Sequence, residues 1–95
     1  MKSYKTTMYN ENGVTKLIHH STAIVKHNHL NQTIELNNDG YFSKTIKDRM
    51  NDYFNENGLN QYGVYQKNFN WFVLTPNNNH KNPLEYKNGM IIKAI

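Results

Sequence analysis

The chain has 95 residues, 37% of them hydrophobic and 13% aromatic, with no cysteine and a formal net charge of +4. That length predicts a single domain over residues 1–95 with a small, aromatic-rich core, and the aromatic content separates it from disordered chains, which are poor in large apolar groups. Lack of cysteine excludes a disulfide framework and a thiolate metal site, and no stretch approaches the ~20 apolar residues of a membrane span. The expectation is a soluble cytoplasmic protein with no membrane partner, in the host cytoplasm if it is phage-encoded.

Residues 1–14 are polar and end in Asn10-Glu11-Asn12-Gly13, a turn-like cluster. Two readings fit them, a short edge strand around Tyr4 to Tyr9 or a loose arm. From Thr15 to Lys26 the β-branched content, with Leu17, Ile18, Thr22, Ile24 and Val25, predicts a strand with a break near Ser21. A turn at residues 28–31 and the alternation Thr33-Ile34-Glu35-Leu36 complete a hairpin.

Asn37 to Gly40 closes that strand, and a helix follows over residues 44–57. Ser43 is one N-cap candidate, and Thr45 with Asp48 is a second. Ile46, Met50, Tyr53 and Phe54 fall at i, i+4, i+7 and i+8, a single apolar stripe. Gly58 is suited to the left-handed position just past the helix, with Leu59 packing back. Residues 64–66 and 71–74 then flank a turn at 67–70, a polar loop occupies 76–83, and Asn88-Gly89 turns the chain into a last strand, Met90 to Ile92. The order β-β-α-β-β-β predicts an α+β fold, a mostly antiparallel sheet with one amphipathic helix packed on one face.

The run from Asn38 to Asn51, with its Gly40-Tyr41-Phe42 turn and Lys47-Asp48-Arg49-Met50-Asn51, resembles a signature of small phage-encoded proteins of unknown function. In that group a Gly-aromatic turn leads through a Thr-rich helix start into Lys-x-Arg-Met-Asn. Gln66 to Trp71 and Tyr86 to Met90 resemble two further segments of the group, whose hairpin turn usually carries glycine where this chain has Asn68-Phe69. The resemblance implies a phage or mobile-element origin and a fold of two hairpins and a helix. Phage proteins of this size often bind a host protein or ribonucleoprotein, including restriction and CRISPR defence machinery, and an inhibitor of that kind is the role the resemblance implies.

Several residue sets bear on chemistry. His27 and His29, two apart on a strand, would face the same way and could chelate a metal with His19 or Glu35. Solvated histidines are the commoner outcome, and neither a metal nor any other cofactor is expected. Ser21 beside His19 and His20 lacks the elbow of a hydrolase, and Asp48, Asp52 and Glu56 read as a solvated helix face, so no catalytic residue is assigned and no enzyme is expected.

Binding is the better-supported class. Tyr41, Phe42, Lys44, Lys47, Arg49 and Asn51 gather at the helix start, where aromatic faces, cations and free amides suit a host macromolecule. Tyr62, Tyr65, Phe69 and Tyr86 would anchor a protein partner if exposed. A small basic nucleic-acid-binding domain is the alternative, weakened because Lys47 and Arg49 project about 200° apart on a helix. Oligomeric state is not legible from the residues.

Overall fold

Left-handed turn residues and period-two alternation build the first part of the chain. In the computed structural model, which describes residues 6–94, four strands run in succession. These are β1 (Thr6–Glu11), β2 (Val14–His19), β3 (Thr22–Asn28) and β4 (Thr33–Leu36), each antiparallel to the next. The expected Tyr4–Tyr9 edge strand lies partly outside the described residues. Within them, β1 settles the choice for residues 6–11 in favour of a strand.

The segment expected as one strand over residues 15–26 is a hairpin. His20 takes a φ of 57° and His19 pairs with Thr22, so the chain reverses at His20 and Ser21. The sequence carries no glycine there, which is why only a break was legible. Beyond the turn Leu17 pairs with Val25 but Ile18 with Ala23, leaving Ile24 as an extra residue in β3. This bulge interrupts the alternation and lets the adjacent Ile24 and Val25 both be fully buried.

The helix is α1 (Lys44–Glu56), and after it come β5 (Gly63–Lys67), β6 (Asn70–Leu74), β7 (Leu84–Glu85) and β8 (Met90–Lys93). The expected single sheet is instead two antiparallel sheets, ordered β1-β2-β3-β4-β8 and β5-β6-β7. β8 pairs with β4, Ile34 opposite Ile92, so residues between them form an insertion in the larger sheet's connectivity. Local alternation locates strands but does not say which pair, and that is where the expectation erred. The α+β class itself holds.

The chain forms two compact units, residues 42–87 and the described residues on either side of them. In the five-stranded unit, register places Thr15, His27, Ile34 and Ile92 in one cross-strand row and Leu17, Val25, Leu36 and Met90 in the next. All but Met90 are buried, while the opposite face carries the half-exposed row Lys16, Lys26 and Glu35.

In the other unit, Ser43 is the N-cap, its hydroxyl accepting the Ile46 amide at 3.1 Å. That satisfies a first-turn donor that the helix itself leaves unpaired. Gly58, at φ 73°, follows the last turn and lets the Leu59 amide donate to the Phe54 carbonyl at 2.8 Å. Ile46, Met50, Tyr53 and Phe54 are all buried, each apolar side chain contributing about 1.5–3 kcal/mol relative to exposure. Tyr62 stacks on Phe54 with centroids 5.6 Å apart, and Val64, Trp71 and Val73 complete this unit's buried strand residues.

Candidate functional site

The β5–β6 hairpin is the element from which a site can be built. Lys67 pairs with Asn70, so Asn68 and Phe69 alone form the turn, with φ of 53° and 69°. Two consecutive left-handed residues are what a tight hairpin requires, because that backbone twist matches the twist of the strands. Asparagine tolerates the conformation; a phenylalanine there is a steric outlier. Phe69 gains no burial in exchange, since it is 92% exposed.

Next to it, Phe42 is 61% exposed and sets its ring edge-to-face against Trp71 and Tyr86, at 5.1 and 6.2 Å between centroids. Trp71 and Tyr86 are themselves 5.3 Å apart at 65°. Register explains the grouping: the Tyr86 amide donates to the Trp71 carbonyl at 3.0 Å, continuing the β6–β7 ladder by one residue. These three rings with Phe69, Asn70 and Glu85 line a cleft of about 310 Å³.

The residues expected to bind at the helix start fare differently. Tyr41 is 67% exposed and belongs to the five-stranded unit, whereas Phe42 is part of the cleft. Lys44 is paired within the helix to Asp48 at 2.6 Å, and Arg49 to Asp52 at 3.0 Å. Lys47 is half-buried. Asn51 holds the fold: its amide nitrogen donates to the Val64 carbonyl and its oxygen accepts the Val64 amide, both at 2.8 Å. A side chain thereby pairs with edge strand β5 as a neighbouring strand would.

Of the tyrosines considered as anchors, Tyr62 and Tyr86 are buried, and burial raises the Tyr62 hydroxyl above its ordinary pKa. Tyr65 is half-buried against Phe72 and His80, at 5.6 and 5.0 Å. Only Phe69 of the four stands exposed. Trp71 was expected only as a strand residue, and Glu85 was not singled out because it sits on a two-residue strand inside a polar stretch, with no periodicity to reveal it.

The histidines do share a face. His27 is buried and stacks on His29 at 4.0 Å, and His29 Nε2 lies 2.7 Å from the Thr15 hydroxyl. Burial first, and then the neighbouring His29, lower the His27 pKa below its ordinary value. Glu35 cannot join them, because it pairs across from Lys26 and so projects from the opposite face. Among the described residues no three histidine, aspartate or glutamate side chains are placed to hold a metal ion. Ser21 is exposed in the turn beside His20, while His19 is buried. No helix among the described residues is long and apolar enough to cross a membrane.

No curated protein and no solved structure matches the chain. The family described as Kyanoviridae Gp96 protein does match, over residues 1–93. The chain belongs to that family and is a small phage protein.

Proposed function

We propose that this phage protein is a non-enzymatic accessory factor that binds a host macromolecule, a protein or ribonucleoprotein of a defence system being the target in view. One observation carries the reading: Phe69 is held in a left-handed backbone conformation and left 92% exposed. A bulky residue there costs of order 1–3 kcal/mol of backbone strain and leaves a large apolar surface in water, so folding alone does not account for it. Contact with a partner does. Phe42, 61% exposed on the same cleft, extends the apolar surface.

Nucleic acid is a weaker fit to the same face. Lys44 and Arg49 are paired with Asp48 and Asp52, and among the described residues the cleft wall carries no basic one. The deciding experiment is capture from host lysate by the tagged protein, with and without nuclease. A protein partner retained after nuclease treatment and lost with Phe69→Gly supports the reading. Binding to an oligonucleotide that weakens steeply with salt and ignores Phe69→Gly would replace it with the nucleic-acid one.

A further inference from the structure

We infer that β1 pairs antiparallel with β1 of a second copy of this chain, about a two-fold axis at Met8, so that two five-stranded sheets join edge to edge. The first observation is an open edge. β1 pairs with β2 along its whole length without a register shift, and among the described residues no strand pairs with its other side. Unpaired amides and carbonyls along such an edge accept another strand, and proteins that stay apart block it with lysine, proline, a bulge or a very short strand. The sequence Thr6-Thr7-Met8-Tyr9-Asn10-Glu11 uses none of these devices over its six residues. Its one charge stands at the far end, where Glu11 is paired with Lys16 at 3.7 Å. The opposite edge, β8, has only four residues and ends in Lys93.

A second copy is the occupant because the apolar row on the buried face of the sheet stops short at this edge. Met8 lies opposite Leu17, Leu17 opposite Val25, and Val25 opposite Leu36. The last three are fully buried, whereas Met8 is 49% exposed. Set on the axis, Met8 is covered by the same side chain that it covers, and the row continues into the second sheet. A two-fold axis perpendicular to the sheet keeps each face on its own side, so residues opposite one another share a face. On the other face this register sets Thr7 opposite the partner's Tyr9, a favourable aromatic and β-branched cross-strand pair. An axis at Tyr9 would instead put Met8 against the partner's Asn10 and end the apolar row. In a chain of net charge +4, β1 is also a stretch where two copies meet without opposing cations. The pairing closes at two copies, whereas β1 against β8 of another copy would leave edges open and run on into a fibre.

The full chain is examined by sedimentation equilibrium from micromolar to millimolar concentration. A reversible rise from the chain mass of 11.2 kDa to twice that value is expected, with a dissociation constant of micromolar order for so short an interface. Met8→Lys sets two ammonium groups against each other on the axis and should weaken association about a hundred-fold. Circular dichroism of the dilute chain should stay unchanged, because Met8 stands half exposed at the rim of the core. Met8→Cys tests the register in a chain that has no other cysteine. Residues directly opposite in antiparallel strands have Cα atoms about 4.5–5.5 Å apart, within disulfide reach. With oxidised glutathione as the oxidant, Met8→Cys should form a disulfide-linked dimer at least about ten-fold faster than Tyr9→Cys, whose two copies lie diagonally apart and out of reach.

A monomer at millimolar concentration, a dimer that survives Met8→Lys, or species heavier than a dimer that grow with concentration overturns the inference. Loss of the dimer with Ile91→Lys and not with Met8→Lys would move the interface to β8, where Ile91 is exposed, and overturn it equally. Should Met8→Lys fail to fold, the cysteine pair decides alone: crosslinking of Tyr9→Cys as fast as Met8→Cys, or of neither, removes the axis from Met8.

Discussion

Two hairpins in this protein turn on the same backbone and fill it differently. Between β1 and β2 the turn is Asn12-Gly13, with φ of 53° and 79°; between β5 and β6 it is Asn68-Phe69, with φ of 53° and 69°. At the first, glycine answers both the backbone and the surroundings, since a Cβ on Gly13 would lie 3.0 Å from the Leu30 side chain. At the second, the same left-handed position holds one of the largest side chains available and leaves it in water. The first turn is solved for folding. The second sacrifices stability at a surface residue, and that difference is the ground on which Phe69 is proposed to meet a partner.

The comparison can be strained from both sides. The largest stability loss is expected from Asn51→Ala, which strips β5 of the side chain that pairs with Val64 and leaves its amide and carbonyl unsatisfied; about 1–3 kcal/mol should disappear from urea unfolding. Were the loss negligible, the second hairpin would be held by its ladder alone. Gly13→Ala comes next, at about 1–2 kcal/mol, because it puts into the first turn the Cβ that the second turn tolerates. Phe69→Gly should move the opposite way, raising stability by about 1 kcal/mol in the same assay as strain and exposed apolar surface are removed together.

The smallest effect is a pH dependence confined to the five-stranded unit. His27 is buried against His29 and Thr15, and its pKa in the folded chain lies below the ordinary 6.5. Above pH 6.5 both folded and unfolded chains hold it neutral, so its contribution is fully present. As pH falls from 6.5 toward the lowered folded value, the unfolded chain takes up the proton first, and stability declines. An NMR titration of the His27 ring should show the depressed pKa, and unfolding midpoints should fall over the same window. A midpoint pKa at or above 6.5 would remove this contribution.

How far the residues announced all this depends on the range of the interaction. The stripe Ile46, Met50, Tyr53 and Phe54, the cap at Ser43 and the left-handed Gly58 are local, and each appears in the structure as the sequence implied. The hairpin turn at Asn68-Phe69 was legible as a turn, and Phe42 as a binding candidate. Pairing β8 with β4 and dividing the strands between two sheets are choices made across dozens of residues, and no local pattern records them. Asn51 shows the same limit at the scale of one side chain. It looked like part of a binding surface until Val64, thirteen residues on, proved to be its partner. The cleft was half visible, since Trp71 and Glu85 join Phe42 and Phe69 only through the β5–β6–β7 ladder.

Phe69 is proposed to trade folding stability for contact with a partner. One paired measurement tests it: thermal unfolding and host-partner capture, made side by side on the unaltered chain and on Phe69→Gly. A higher unfolding temperature together with loss of capture is expected of Phe69→Gly. A variant that binds its partner undiminished, or one that unfolds at a lower temperature, would contradict it.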